Sequence, residues 1–118
     1  IILGEETAKD IDDEYFCVEL DSIAVKGKKD AVRIYTVLST QKYMWHNTNW
    51  VHLEQQHEKF LVLYRNQKWI LAEKWAQDLE TAWPIMSVYY SIMLERIEKF
   101  KSNPPGNDWD GVYHATTK

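Results

Sequence analysis

Hydrophobic positions along the chain follow two periods, and the change between them divides it. Phe16, Val18 and Leu20 alternate with Cys17 and Glu19, the period of a strand with one buried face. The phase slips between Leu20 and Ile23 and resumes at Val25, which predicts one extra residue there, a β-bulge. Beyond Gly27, Val32, Ile34, Thr36 and Leu38 fall on one face and Ala31, Arg33, Tyr35 and Val37 on the other. The two runs predict an antiparallel hairpin. A lone hairpin is marginal in water, so it must pack on further structure. Upstream, Ile1 to Leu3 reads as the end of a strand. Gly4 to Lys9 reads as a short helical turn, with acids at its start where the helix dipole favours negative charge. Asp10 to Glu14 reads as an acidic loop.

From Glu54 the period is helical. His57, Phe60, Leu61 and Tyr64 are spaced i, i+3, i+4, i+7, one face of a helix. Arg65-Asn66-Gln67 offers a turn, after which Ala72, Trp75, Ala76, Leu79 and Trp83 repeat the spacing. Pro84 ends this second helix near Ala82, because a residue before proline avoids the α region, and itself can open the next helix. Met86, Tyr89, Tyr90, Met93, Ile97 and Phe100 form a third stripe, which Asn103-Pro104-Pro105-Gly106 stops. Trp109, Val112 and Tyr113 in the tail are enough to fold back onto the helices. Residues 41–53 show no clean period and read as a connector. The predicted class is α+β: a hairpin-containing part at 1–40, the connector at 41–53, and a three-helix part at 54–118. The stretch YRNQKWILA, with an aromatic before the turn and a small residue in the second helix, resembles one tetratricopeptide unit, but no internal repeat accompanies it.

Composition narrows the class further. The chain has 118 residues, 45% hydrophobic and 27% charged, the profile of a globular domain. A formal net charge of −4 argues against nucleic acid as a partner. The longest uncharged stretch, Thr81 to Leu94, is 14 residues and contains Pro84, too short for a bilayer span. The residues from Ile1 onward, IILGEETAKD, do not read as a secretory leader. The chain opens without Met inside an apolar run, which reads as a piece of a longer protein. Cys17 is the one cysteine, so no intrachain disulfide forms, and a reducing compartment is the natural setting.

The hairpin turn carries Lys26, Lys28 and Lys29 around Gly27. Such a turn is either simply solvated or held up to something anionic. IILGEETA followed by FCVELDSIAVKGKKDAVRIYTVL decides which expectation to carry. This stretch, residues 1–39, resembles the C-terminal end of the class III adenylate and guanylate cyclase catalytic domain. That family ends with a strand, a short helix opened by an acidic-Thr-Ala motif, and a hairpin whose turn reads V-K-G-K. The remainder, through PPGNDWDGVYHATTK, looks like the tail that follows the catalytic domain in some bacterial membrane-anchored cyclases.

The resemblance implies that Lys26 contacts the triphosphate of ATP. A fixed ammonium there stabilises the charge that builds on pyrophosphate as the ribose 3′-oxygen attacks the α-phosphorus. Gly27 would let the turn approach the phosphates, and Lys28 matches the second lysine of the motif. It also implies two Mg or Mn ions, whose ligands precede this chain, and a homodimer formed through the missing catalytic core. The tail would then position the dimer or bind a peptide or protein regulator. The setting would be the cytoplasmic side of a membrane-anchored bacterial protein. The metal-binding aspartates, the base-reading residues and the transition-state Asn and Arg of that family lie outside these residues, so the chain alone is expected to be inactive. Asp10, Asp12, Asp13 and Glu14 do not replace them, since a calcium loop requires Gly at its sixth position. The alternative is a non-enzymatic module whose helical hairpin takes a peptide.

Other groups read as structural. His46, His52, His57 and His114 lack metal-site spacing, and Cys17 sits mid-strand with no adjacent base. Trp75 and Trp83 have core spacing, although Trp45, Trp50, Trp69, Trp75 and Trp83 together raise the idea of an aromatic cage. Arg96, Lys99 and Lys101 interleave with Glu95 and Glu98 as a solvated face.

Overall fold

The alternating run becomes the centre of a sheet. A computed structural model of the chain describes the backbone of residues 2–11, 15–24, 30–40 and 48–114, with the side chains at 11, 15, 16, 38–40 and 48–50 left outside the description. Strand β1 (Ile2–Gly4) leads into helix α1 (Glu5–Ile11), then β2 (Tyr15–Ala24) and β3 (Val32–Thr40). Helices α2 (Thr48–Arg65), α3 (Trp69–Ala82) and α4 (Ser87–Ser102) follow, and a short strand β4 (Tyr113–His114) comes last. The chain is α+β, with a four-stranded sheet in the order β1-β3-β2-β4 among the described residues. It divides into two units: residues 1–51 with 112–118, and residues 52–111.

In the sheet unit, β2 and β3 pair antiparallel as their alternation predicts, and β1 pairs antiparallel with β3 through Ile2↔Thr36, Leu3↔Tyr35 and Gly4↔Ile34. A bulge is present, just ahead of the predicted interval between Leu20 and Ile23. Glu19 pairs with Tyr35 and Asp21 with Ile34, so Leu20 is the extra residue. A second irregularity, between Phe16 and Cys17, was not legible in the alternation. The Leu20 bulge lets two consecutive side chains, Leu20 and Asp21, both be buried. Asp21 Oδ1 accepts the Ser22 N–H at 2.9 Å, which offsets part of the cost of burying a carboxylate. Helix α1 begins with Glu5 and Glu6 and lays the buried Ala8 toward the sheet.

The C-terminal strand corrects an expectation. Tyr113 and His114 pair parallel with Ile23 and Ala24 rather than folding onto the helices, so the end of the 54–118 segment belongs to the sheet unit. A two-residue strand is too short to show a period. The connector expectation is also corrected at its end. Helix α2 starts at Thr48, not after residue 53. Its first described side chains, Val51 and His52, are exposed and leave no apolar stripe to read.

In the helical unit the three predicted stripes supply the core, although their members Trp75, Tyr89 and Phe100 are only half-buried. His57, Phe60, Leu61 and Tyr64 of α2 are buried, as are Ala72, Ala76 and Leu79 of α3 and Tyr90, Met93 and Ile97 of α4. Burial of each large apolar side chain contributes about 1.5–3 kcal/mol, so this stripe set is the main stabiliser of the unit. The small Ala72 and Ala76 bring α3 and α4 close together, whereas bulky rings line α2. Trp83 and Met86 are buried around Pro84, which ends α3 at Ala82 and opens a single 3-10 turn leading into α4.

Helix α2 ends in a Schellman motif. Gln67 takes the left-handed conformation (φ 60°), Gln67 N–H donates to Tyr64 O at 3.1 Å, and Lys68 N–H donates to Leu63 O at 2.9 Å. The tail then closes over this turn. Gln67 Nε2 donates to Gly106 O, and Trp109 packs edge-on against Tyr64 at a centroid separation of 5.5 Å. Trp69 and Phe100 stack at 5.0 Å beside it. Gly111 has φ 83°, a conformation that favours glycine, and a Cβ there would press on the Arg65 side chain, 3.0 Å from its Cγ.

Candidate functional site

Lys26, Gly27 and Lys28 lie outside the described residues, as does Lys29. The hairpin that carries them is described up to its last pair, Ile23↔Val32. The elements in front of it are a strand, a short helix with an acidic start, and then the hairpin.

The described concavities of the sheet unit lie where α1 meets β2 and β3. One cleft, about 310 Å³, has Cys17, Arg33 and Tyr35 on the sheet side and Glu5, Ala8 and Lys9 on the helix side. Alternation explains the sheet side: Cys17, Glu19, Arg33 and Tyr35 occupy one face, with Glu19 directly opposite Tyr35. Arg33 Nε stands 3.5 Å from Glu19 Oε2, and Arg33 lies on the same face as Tyr35. Burial pushes the Tyr35 phenol above its usual value, and the carboxylates of Glu19 and Glu5 push in the same direction. The phenol therefore keeps its proton at neutral pH and remains a hydrogen-bond donor. A second depression, about 470 Å³, adjoins through the shared Glu5 and Arg33 and runs along Gly4, Glu6 and Thr7. The cleft was missed in the sequence because Glu5 and Lys9 look like dipole-matched helix ends; their i, i+4 spacing was the available signal.

The other candidates resolve into packing or surface. His57 Nδ1 and the Tyr90 hydroxyl share a buried hydrogen bond of 2.8 Å, with the donor set by the imidazole tautomer. Phe60, Trp83 and Tyr89 surround that imidazole at centroid separations of 6.0, 6.4 and 5.6 Å. His52 and His114 are exposed on α2 and β4, and His46 lies outside the description. Among the described residues no group of three potential metal ligands converges. Asp10 is exposed on α1, while Asp12, Asp13 and Glu14 lie outside the description.

Trp69 stacks on Phe100, Trp75 lies under Lys59 Nζ at 5.2 Å, and Trp83 is buried, so these three do not converge on one cage. Trp45 and the Trp50 side chain are outside the description. Lys99 pairs with Glu95 at 3.9 Å and Lys101 with Glu98 at 3.4 Å, as their spacing predicts. Lys101 also reaches Glu73 of α3 at 3.0 Å. No described helix is long and apolar enough to cross a membrane. Comparison with protein-family models, curated proteins and solved structures gives no match to this chain.

Proposed function

We propose that this chain is the C-terminal segment of a class III nucleotide cyclase that converts ATP to cyclic AMP and pyrophosphate. In this reading Lys26 contacts the triphosphate, Gly27 and Lys28 complete the turn, and the helical unit is an assembly or regulatory tail. The observation that carries the reading is the order strand, short acid-led helix, antiparallel hairpin over β1 to β3, joined to the V-K-G-K turn. Two Mg or Mn ions and the other half of the nucleotide site come from residues upstream of Ile1, in a cytoplasmic catalytic dimer. The 118-residue chain alone makes no cyclic AMP.

The test is to express the chain together with its upstream coding sequence and assay cyclic AMP formation from ATP and Mn²⁺. Activity is expected, with Lys26→Ala lowering kcat/KM on the order of 10²-fold, the effect of losing one donor to developing charge. An upstream sequence without two aspartates in cyclase context, or a Lys26→Ala enzyme at full rate, overturns the reading. In that case the non-enzymatic interaction module takes its place. One observation favours it: Ile85, Val88 and Ile92 stand exposed in the i, i+3, i+7 pattern of a helix-docking stripe around the start of α4.

A further inference from the structure

We propose that the cleft between α1 and the β2–β3 face binds a small zwitterion, a molecule carrying one carboxylate and one ammonium a few ångströms apart. The proposal does not depend on the cyclase reading.

The argument starts from charge balance. Glu19 and Arg33 pair at 3.5 Å. That leaves Glu5 and Lys9, which line the same cleft from α1. They are one helical turn apart on one side of the helix, which at 1.5 Å per residue sets their Cα atoms about 6 Å apart along the axis. Among the described residues, neither side chain takes an ion pair or a hydrogen bond. The cleft therefore presents one negative and one positive group, a turn apart, to whatever enters.

This pattern selects by charge. A simple anion meets Lys9 but is repelled by Glu5; a simple cation meets Glu5 but is repelled by Lys9. A zwitterion satisfies both at once, its ammonium on Glu5 and its carboxylate on Lys9. The protonated Tyr35 hydroxyl and the guanidinium of Arg33 lie in the same lining as further donors to that carboxylate. Ala8 and Cys17 provide the less polar surface for a short carbon skeleton. A volume of about 310 Å³ lies at the small end of ligand sites and has room for a simple amino acid.

The test is a titration of the whole 118-residue chain followed by ¹H–¹⁵N spectra, with β-alanine as probe and propionate and ethylammonium as single-charge controls at matched ionic strength. Saturable shifts are expected at Glu5 to Lys9, Cys17, Arg33 and Tyr35 with β-alanine, and binding at least tenfold weaker with either control. Lys9→Met and Glu5→Gln should each weaken β-alanine binding about tenfold, a change of about 1.4 kcal/mol. Both residues are exposed on α1, so the variants keep the fold, which far-UV circular dichroism verifies. No saturable shift at about 10 mM probe, tenfold above a millimolar Kd, overturns the proposal. So do controls that bind as tightly as β-alanine, or variants that bind it as the parent chain does.

Discussion

Replacing Tyr90 by Phe removes one oxygen from the centre of the helical unit and leaves almost everything else in place. Tyr90 is 0% exposed and its hydroxyl lies 2.8 Å from His57 Nδ1, itself on a residue 1% exposed. The ring contacts survive, including the edge-on contacts with Phe60 at 5.8 Å and Tyr89 at 5.0 Å, so no cavity term enters. What is lost is a buried hydrogen bond whose other member stays behind in a nonpolar setting. Removing one partner of such a pair costs about 1–3 kcal/mol, more than the net value of an average hydrogen bond, because desolvation is no longer offset. Against a urea slope of about 1 kcal/mol/M, low in the range because the unit is small, the midpoint should fall by about 1–3 M. Trp69, Trp75, Trp83 and Trp109 lie in this unit and provide the fluorescence signal.

The double variant His57→Phe with Tyr90→Phe separates causes. If the cost comes from a polar group left behind, removing both members recovers part of the loss, and the two substitutions are strongly non-additive. A Tyr90→Phe unfolding free energy within about 0.5 kcal/mol of the parent, the scatter of a neutral surface substitution, would refute the reasoning.

Further outcomes are expected. Gly111→Ala should lower stability by about 1–3 kcal/mol in thermal melts, since alanine is strained at φ 83° and its Cβ meets Arg65 Cγ at 3.0 Å; an unchanged melting temperature would show that the tail is not held there. Hydrogen bonds that the Lys101 ammonium donates to Glu73, first, and to Glu98 raise it above its ordinary value of 10.5. Its contribution is therefore complete below 10.5 and is lost as pH rises through the raised folded value. A Lys101→Met chain should show a shallower loss of stability over that alkaline window, and the difference should shrink in high salt. Equal alkaline slopes for the two chains would contradict it.

Side-chain periodicity carried most of the helical unit. His57, Phe60, Leu61 and Tyr64 were legible because one buried face of a helix repeats its signal every three or four residues. Pro84 and the Asn103-Pro104-Pro105-Gly106 stop were legible because they act on their own backbone. The Leu20 bulge was legible as a phase slip, since one inserted residue moves every later side chain to the other face. Pairing between distant segments was not. Nothing in Tyr113-His114 identifies Ile23-Ala24 as its neighbour, because backbone hydrogen bonds in a two-residue parallel ladder leave little mark on side-chain choice. The cleft was hidden for a related reason. Glu5 and Lys9 are ordinary helix-surface residues until Arg33 and Tyr35, more than twenty positions later, are brought opposite them.

The parallel ladder between Ile23-Ala24 and Tyr113-His114 makes the helical unit a guest, inserted between the third and fourth strands of its host. On a ribosome the guest is complete once residue 111 has emerged, while its host still lacks a strand. Loop closure across some ninety residues would be slow in an open chain, and a guest already folded shortens the search by replacing that loop with a structured body. The order of completion is thus written into the connectivity: β1 to β3 emerge first, the helices follow, and Tyr113-His114 close the sheet as the latch.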